Sequence, residues 1–395
     1  MPTPPIRGTC LSGVLLLSLS LPLSAQSPES PAPVDEAPAE TAMAAPGTTA
    51  EPAVEPAAAI DPALLDAEIL PRASRALLLD AVRTNAGYFA VGERGHVLLS
   101  QDGKAWTQAV IPTRATLTSI ASVNGTLWAA GHDGVIVHST DGGQTWARRR
   151  AAPWSRDSVD PSEGVPVMDL LFTDASNGFA IGAYSLMLVT GDGGLTWTPR
   201  SVSAGSAAAP KDEPATNDSA DEGDVWTFSE DDLALDAESD PHFNAIARAG
   251  SGALVIAGER GTFLRSRDGG VTWDSKRLPY EGSMFGVLAW EGEHILVFGL
   301  RGNVYESRNL GDNWTQVETG IGTSLMGGHA LANGGAILVG ANGAVLTRLD
   351  ADSPFTSIAF ETAAGETPLL SAVLPVDDSG YLVVGDKGAD LYRPQ

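Results

Sequence analysis

Gly131-His132-Asp133-Gly134-Val135-Ile136-Val137-His138-Ser139-Thr140-Asp141-Gly142-Gly143-Gln144-Thr145-Trp146 contains a glycine-bounded turn, a short β-branched run and a second glycine turn that ends on tryptophan. The glycine-bounded turn also opens at Gly92, Gly182, Gly258, Gly299, Gly340 and Gly385. Where nothing is inserted the spacing is about 40 residues, the period of one four-stranded propeller blade. The chain therefore reads as an all-β, seven-bladed β-propeller of four-stranded antiparallel blades spanning 66–395.

One copy supplies a whole blade. Leu117 to Val123 and Leu127 to Ala130 flank the hairpin signal Asn124-Gly125, Val135 to Ser139 forms the third strand, and Trp146 to Arg149 the fourth. Equivalent stretches are Leu78 to Val110, Met168 to Arg200, Phe243 to Arg277, Met284 to Val317 and Leu325 to Phe360. The last copy offers only Leu370 to Val376, Tyr381 to Val384 and Ala389 to Tyr392. The extended segment Asp66 to Pro71 is therefore expected to supply the missing strand, so that an N-terminal strand closes the ring and removes exposed sheet edges.

The second turn is fullest at Ser139 to Trp146, Thr190 to Trp197 and Ser266 to Trp273, with weaker forms ending at Trp106 and Trp314. Its aspartate (Asp102, Asp141, Asp192, Asp268) can accept hydrogen bonds from its own turn, its glycines permit positive φ, and its tryptophan (Trp106, Trp146, Trp197, Trp273, Trp314) buries a large ring. These roles are structural, since a feature repeated in blade after blade is architecture first. With these residues the chain resembles the Asp-box (bacterial neuraminidase) repeat proteins, and more closely the family of the photosystem II stability and assembly factor. That resemblance covers about 66–395. It implies a non-catalytic propeller that docks on membrane-protein subunits or assembly intermediates, without making the chain photosynthetic.

Composition places the chain in a cell. Arg7, the apolar run Leu11 to Leu23 and Ala25 read as a secretory signal over 1–25, with cleavage after Ala25 and a periplasmic or secreted product that has no membrane span. Retention of the signal as an anchor is the alternative. The only cysteine, Cys10, lies before the apolar run, so the mature chain has no thiol for catalysis or metal binding. Residues 26–60 are nearly all Pro, Ala, Glu, Ser and Thr, the composition of a disordered tether. Much of the net charge of −25 sits in the tether and in an acidic insertion at 202–242, which carries twelve acids against Lys211. The remaining ring is mildly acidic, which argues against nucleic acid.

Catalytic signatures are sparse. Sialidases share the Asp box, and a sialidase-like glycoside hydrolase or carbohydrate-binding propeller is the alternative function; Tyr280 and Glu281 are its least implausible pair. That reading requires a tyrosine–acid pair beneath at least two arginines in the central mouth. The six histidines are scattered singly, no metal-ligand spacing occurs, and no cofactor is expected. An accessory of an envelope exporter is a further alternative.

The expected partner is a membrane-associated protein complex or assembly intermediate, met by a monomeric ring. In a propeller the Gly-x-x-Gly turns share one face with the blade-to-blade connections, and the Asp boxes occupy the other. The third turn residue is basic at Arg94, Arg260, Arg301 and Lys387, which gathers positive charge into two sectors of the first face. Arg148, Arg149, Arg150 and Arg156 form the densest basic run. Trp226 and Phe228 interrupt the acidic insertion as candidate anchors for a partner or for the ring.

Overall fold

The computed structural model describes residues 60–157, 159–202, 240–377 and 380–394. The expected signal, the tether up to residue 59 and most of the insertion, with Trp226 and Phe228, lie outside the described residues. Within them the chain forms seven antiparallel sheets, each from consecutive strands, six of four strands and the last of three. The first blade runs Leu78–Thr84, Gly87–Gly92, Val97–Ser100 and Thr107–Gln108; the second runs Leu117–Val123, Thr126–Gly131, Ile136–Ser139 and Ala147–Arg150. The last comprises Leu370–Asp377, Gly380–Gly385 and Gly388–Tyr392. The second strands are almost continuously apolar and fully buried, because both faces of each sheet are covered by neighbouring blades. Seven apolar clusters result among the described residues, each shared by two adjacent blades.

Every innermost strand slips register near its start, between Leu78 and Asp80, between Leu117 and Ser119, and at the corresponding points of the other blades. A bulge of this kind re-aims side chains, and here it turns several towards the next blade. Asp80 accepts from Ile120 N at 2.8 Å, Thr118 Oγ1 donates to Val167 O at 2.6 Å, Asp169 accepts from Ile246 N at 2.9 Å, and Asn244 Nδ2 donates to Met284 O at 2.9 Å. The fifth and sixth blades place Gly286 and Gly327 where the first and third carry Asp80 and Asp169. A Cβ on Gly327 would lie 2.1 Å from Ser371 O, so that seam closes by backbone approach instead of a side-chain latch.

Ring closure differs from the sequence expectation. The segment 66–71 adds no strand to the last blade. Its backbone groups are taken by the outer edge of the first blade: Ala67 N donates to Ile111 O, Leu70 N to Gln108 Oε1, Gln108 Nε2 to Glu68 O and Arg114 Nε to Asp66 O, all at 2.7–2.9 Å. Pro71 has no N–H to continue a ladder. The following turn, Ala73–Arg75, reaches the last blade, where Gly388 (φ +86) leaves room for Ser74 O at a position a Cβ would crowd to 2.0 Å. The ring closes through inner strands instead. Ser371 Oγ donates to Leu78 O at 2.7 Å, Tyr88 Oη donates to Val376 O at 3.3 Å, and Ala372, Leu382 and Val384 pack on Leu78, Ala81 and Tyr88.

Candidate interaction face

The Gly-x-x-Gly turns owe their first glycine to a close approach. Gly131 is extended (φ −178), but a Cβ there would lie 2.0 Å from Thr116 O, the carbonyl that enters the same blade. All seven turns repeat this contact at 1.9–2.3 Å, which is why the repeat is visible in the sequence. In the first six turns the third residue adopts the left-handed conformation: Arg94, Asp133, Tyr184, Arg260, Arg301 and Asn342 have φ between 51 and 58. This conformation is uncommon for non-glycine residues. Lys387 lies in a tight hairpin between the paired Gly385 and Gly388, outside that group, and is ion-paired to Glu366 at 2.9 Å.

The connections between blades run beneath these turns, so the two share a face as expected. Ala152 N donates to Asp133 O at 2.8 Å, and a Cβ on Gly95 would lie 2.1 Å from Thr113 O. On this face Arg94 and Arg301 are exposed, Arg260 is half-buried, and two aromatics stand in solvent that sequence reasoning did not single out: Trp154, 67% exposed, and Tyr184, 59% exposed. Tyr184 occupies the third turn position, where other blades carry arginine, and that was the available signal. Its ring meets His242 edge-on at 4.8 Å, and Ser185 N donates to Pro241 O at 2.9 Å, which moors the chain just after the acidic insertion.

The arginine run is not an open patch. Arg148 Nη1 donates to Ala63 O at 3.0 Å and to Pro112 O at 2.5 Å, Arg149 Nε to His138 Nδ1 at 3.0 Å, and Arg150 Nη1 to Gly134 O at 2.7 Å. Arg148 and Arg150 are half-buried struts that tie the N-terminal segment and the second turn to the second blade. Arg156 is exposed in the following connection.

The opposite face carries the Asp boxes. Asp141 Oδ1 accepts from Ser139 Oγ, Gln144 N and Thr145 N at 2.8–3.0 Å, and Asp192 and Asp268 form comparable sets. The threonine hydroxyl bond, first, and the backbone bonds hold all three carboxyls down at about 2. A sixth box, unrecognised in the sequence, is Arg348-Leu349-Asp350-Ala351-Asp352-Ser353-Pro354-Phe355, with arginine in place of the leading serine and phenylalanine in place of tryptophan. Asp350 still accepts from Ser353 N at 2.8 Å.

The central channel is lined by the inner strands, with Asp80, Ser119 and Asp169 on one side and Gly286, Gly327 and Gly328 on the other. No tyrosine or arginine belongs to this lining. Tyr280 instead stacks on Tyr305 at 6.2 Å on the turn side, and Glu281 is exposed. Burial pushes Asp80 up to about 7 and Asp169 up to about 6, despite their backbone hydrogen bonds, and the Asp169 charge adds to the rise at Asp80. The folded state thus holds protons that the unfolded chain releases near pH 4. This contribution is present at low pH and is lost as pH rises from about 4 to about 7. The Asp-box carboxyls have the opposite sign, and their contribution disappears as pH falls from about 4 towards 2. These two carboxyls are expected to lower the thermal midpoint by roughly 5 °C between pH 4.5 and pH 7.5, against an opposite contribution from His96, His138 and His329, which burial holds below the ordinary imidazole value. Calorimetry across that range checks it; a midpoint that rises steadily to pH 7.5 would count against protonated, half-buried channel carboxyls.

Residues 72–282 match the family model described as the DUF6242 beta propeller domain, and residues 211–358 match that of the photosynthesis system II assembly factor YCF48. The chain is 28% identical over 178 residues to the chloroplastic photosystem II stability/assembly factor HCF136 of Arabidopsis thaliana, which covers 44% of this chain and 36% of that protein. It is 24% identical over 218 residues to the photosystem II assembly lipoprotein Ycf48 of Synechococcus sp. strain CC9902, covering 51% of this chain and 63% of that one. The matches therefore span less than two thirds of either relative. The solved structure of YCF48 bound to D1 peptide superposes with a TM-score of 0.57 at 15% identity over 82% of this chain and 95% of that one, a likeness of fold. Because one family model covers more than half of its length, the chain belongs to the DUF6242 β-propeller domain family, and over residues 211–358 it is similar to the photosynthesis system II assembly factor YCF48.

Proposed function

We propose that this chain is an exported, non-catalytic scaffold that docks on a membrane-associated protein through its turn face. The observation that carries the reading is the presentation of Arg94, Arg301, Tyr184 and Trp154 on one face, three of them held out by left-handed turns. Tyrosine, tryptophan and arginine are the residue types that dominate binding energy in protein interfaces. Rigid turns present them with little ordering cost. A relative of the same fold carries a D1 peptide in its solved structure, which supports a membrane-protein segment as the kind of partner. The signal at 1–25 and the tether at 26–60 would deliver the ring to the periplasmic side of a membrane and give it reach.

The test is capture of membrane proteins from the native envelope by the full chain and by a Tyr184→Ala/Arg301→Glu variant. Neither side chain is buried, so the fold is expected to survive. The variant is expected to retain less than about a tenth of the captured partner. Equal capture by both chains overturns the assignment of the face.

A further inference from the structure

We infer that the seam between the N-terminal segment and the first turn is a binding site for a carboxylate borne on an apolar stem, such as an acidic peptide side chain with an aliphatic neighbour. A cleft of 560 Å³ opens there, lined by Arg72, Arg75, Arg94, Glu93 and His96, with Leu70 on its apolar wall. Two independent features fit an anionic ligand.

The first is the charge. Three guanidiniums share one cleft with a single carboxylate, and none of the three takes part in an ion pair among the described residues. In a chain with 49 acids against 24 lysines and arginines, partners for arginine are abundant, yet Glu93 spends its Oε1 on Leu77 N at 3.3 Å. Arginines left together without a counter-charge repel one another and fit a carboxylate by paired N–H donation.

The second is the histidine. His96 lines the same cleft at 1% exposure, and both ring nitrogens are buried with no hydrogen-bond partner. The corresponding residue after the turn is Val135, Leu186, Thr262, Asn303, Ala344 or Ala389 in the other six blades, so nothing in the repeat requires imidazole there. An unpartnered buried polar group is costly, and an entering carboxylate gives the ring an acceptor. The apolar wall of Leu70, Pro71, Ala73 and Ala76 favours an anion carried on an apolar stem over a fully hydrated one such as phosphate.

Arg94 is shared with the docking face, but the cleft itself does not depend on that reading. The experiment titrates the full chain with the unlabelled peptide acetyl-Leu-Glu-Leu-Glu-Leu-amide by isothermal calorimetry, and follows the His96 imidazole by NMR. Saturable binding is expected, weakened about tenfold or more in Arg72→Ala/Arg75→Ala, whose exposed side chains are not needed for folding. Occupancy should also raise the titration midpoint of His96, since a nearby negative charge favours the protonated ring. The Tyr184→Ala/Arg301→Glu variant should bind this peptide normally even if it loses its membrane partner, so failure of one reading is separable from failure of the other. Absence of saturation, unchanged affinity in the double-alanine variant, an unmoved His96 midpoint, or inorganic phosphate competing on equal terms with the peptide each overturns the site.

Discussion

Trp128→Ala is expected to destabilise the ring by about 3–5 kcal/mol, the range for removing a large aromatic from a core. Trp128 is 1% exposed on the second strand of the second blade, yet its ring belongs equally to the third. It stacks on Phe172 with 3.7 Å between centroids, Phe172 meets Trp197 edge-on at 5.8 Å, and Nε1 donates to Gly193 O at 3.0 Å. The side chain thus joins one blade's strand to the next blade's Asp box. It also explains the second glycine of that box, because a Cβ on Gly194 would lie 2.5 Å from the indole nitrogen and the backbone there has φ +81. Gly143 faces Phe89 and Gly270 faces Phe179 in the same way, each aromatic three residues before its turn glycine. Trp128→Phe keeps most of the stack and loses one hydrogen bond, so it should cost only about 1–2 kcal/mol. Urea denaturation of the two variants checks the order; a loss below about 1 kcal/mol for alanine would contradict a ring welded seam by seam.

The second large effect is expected at Arg348, a side chain 2% exposed between the fifth and sixth blades. Its guanidinium donates to both carboxylate oxygens of Glu306 at 3.2 and 3.0 Å and lies over the rings of Trp290 and Phe355 at 5.8 and 5.2 Å. His294 also bonds Glu306 and stacks on Trp290 at 4.6 Å. Burial pushes the Glu306 carboxyl up, but the bonds from His294 and Arg348 outweigh it and hold the group at about 2. Arg348→Ala leaves that carboxylate with His294 as its remaining partner and should cost about 3–5 kcal/mol. Replacing both members, as in Arg348→Met/Glu306→Leu, removes the charges together and should recover most of the loss. If the double variant were as unstable as the single, the cost would lie in lost packing and the account of an abandoned charge would fail.

The number of blades and the two faces were legible in the sequence because one steric cause repeats. Wherever the turn passes the carbonyl that enters its own blade, only glycine fits, and seven turns record this. Ring closure was not legible. The segment 66–71 has the apolar alternation of a strand, but which edge it joins depends on Gln108 and Arg114, forty residues away, capturing its backbone. The arginine run divides for a related reason: Arg148 and Arg150 look solvated in one dimension, and tertiary contact with the carbonyls of Ala63, Pro112 and Gly134 turns these two into struts, while Arg149 stays exposed. The degenerate box at Arg348 escaped notice because its leading serine and its tryptophan are both replaced. Exposure of Trp154 and Tyr184 is likewise set by how loops lie, although the turn position of Tyr184 was readable.

The most direct measurement of the docking account is site-specific photo-crosslinking in the native envelope, with benzophenone alanine placed in turn at positions 154, 184 and 301 on the turn face and at positions 195 and 271 on the Asp-box face. Leu195 and Val271 are exposed, so they match the first set in accessibility. The account predicts adducts to one membrane protein from the first three positions and none from the other two. Adducts confined to positions 195 and 271, or equal labelling from both faces, would contradict it.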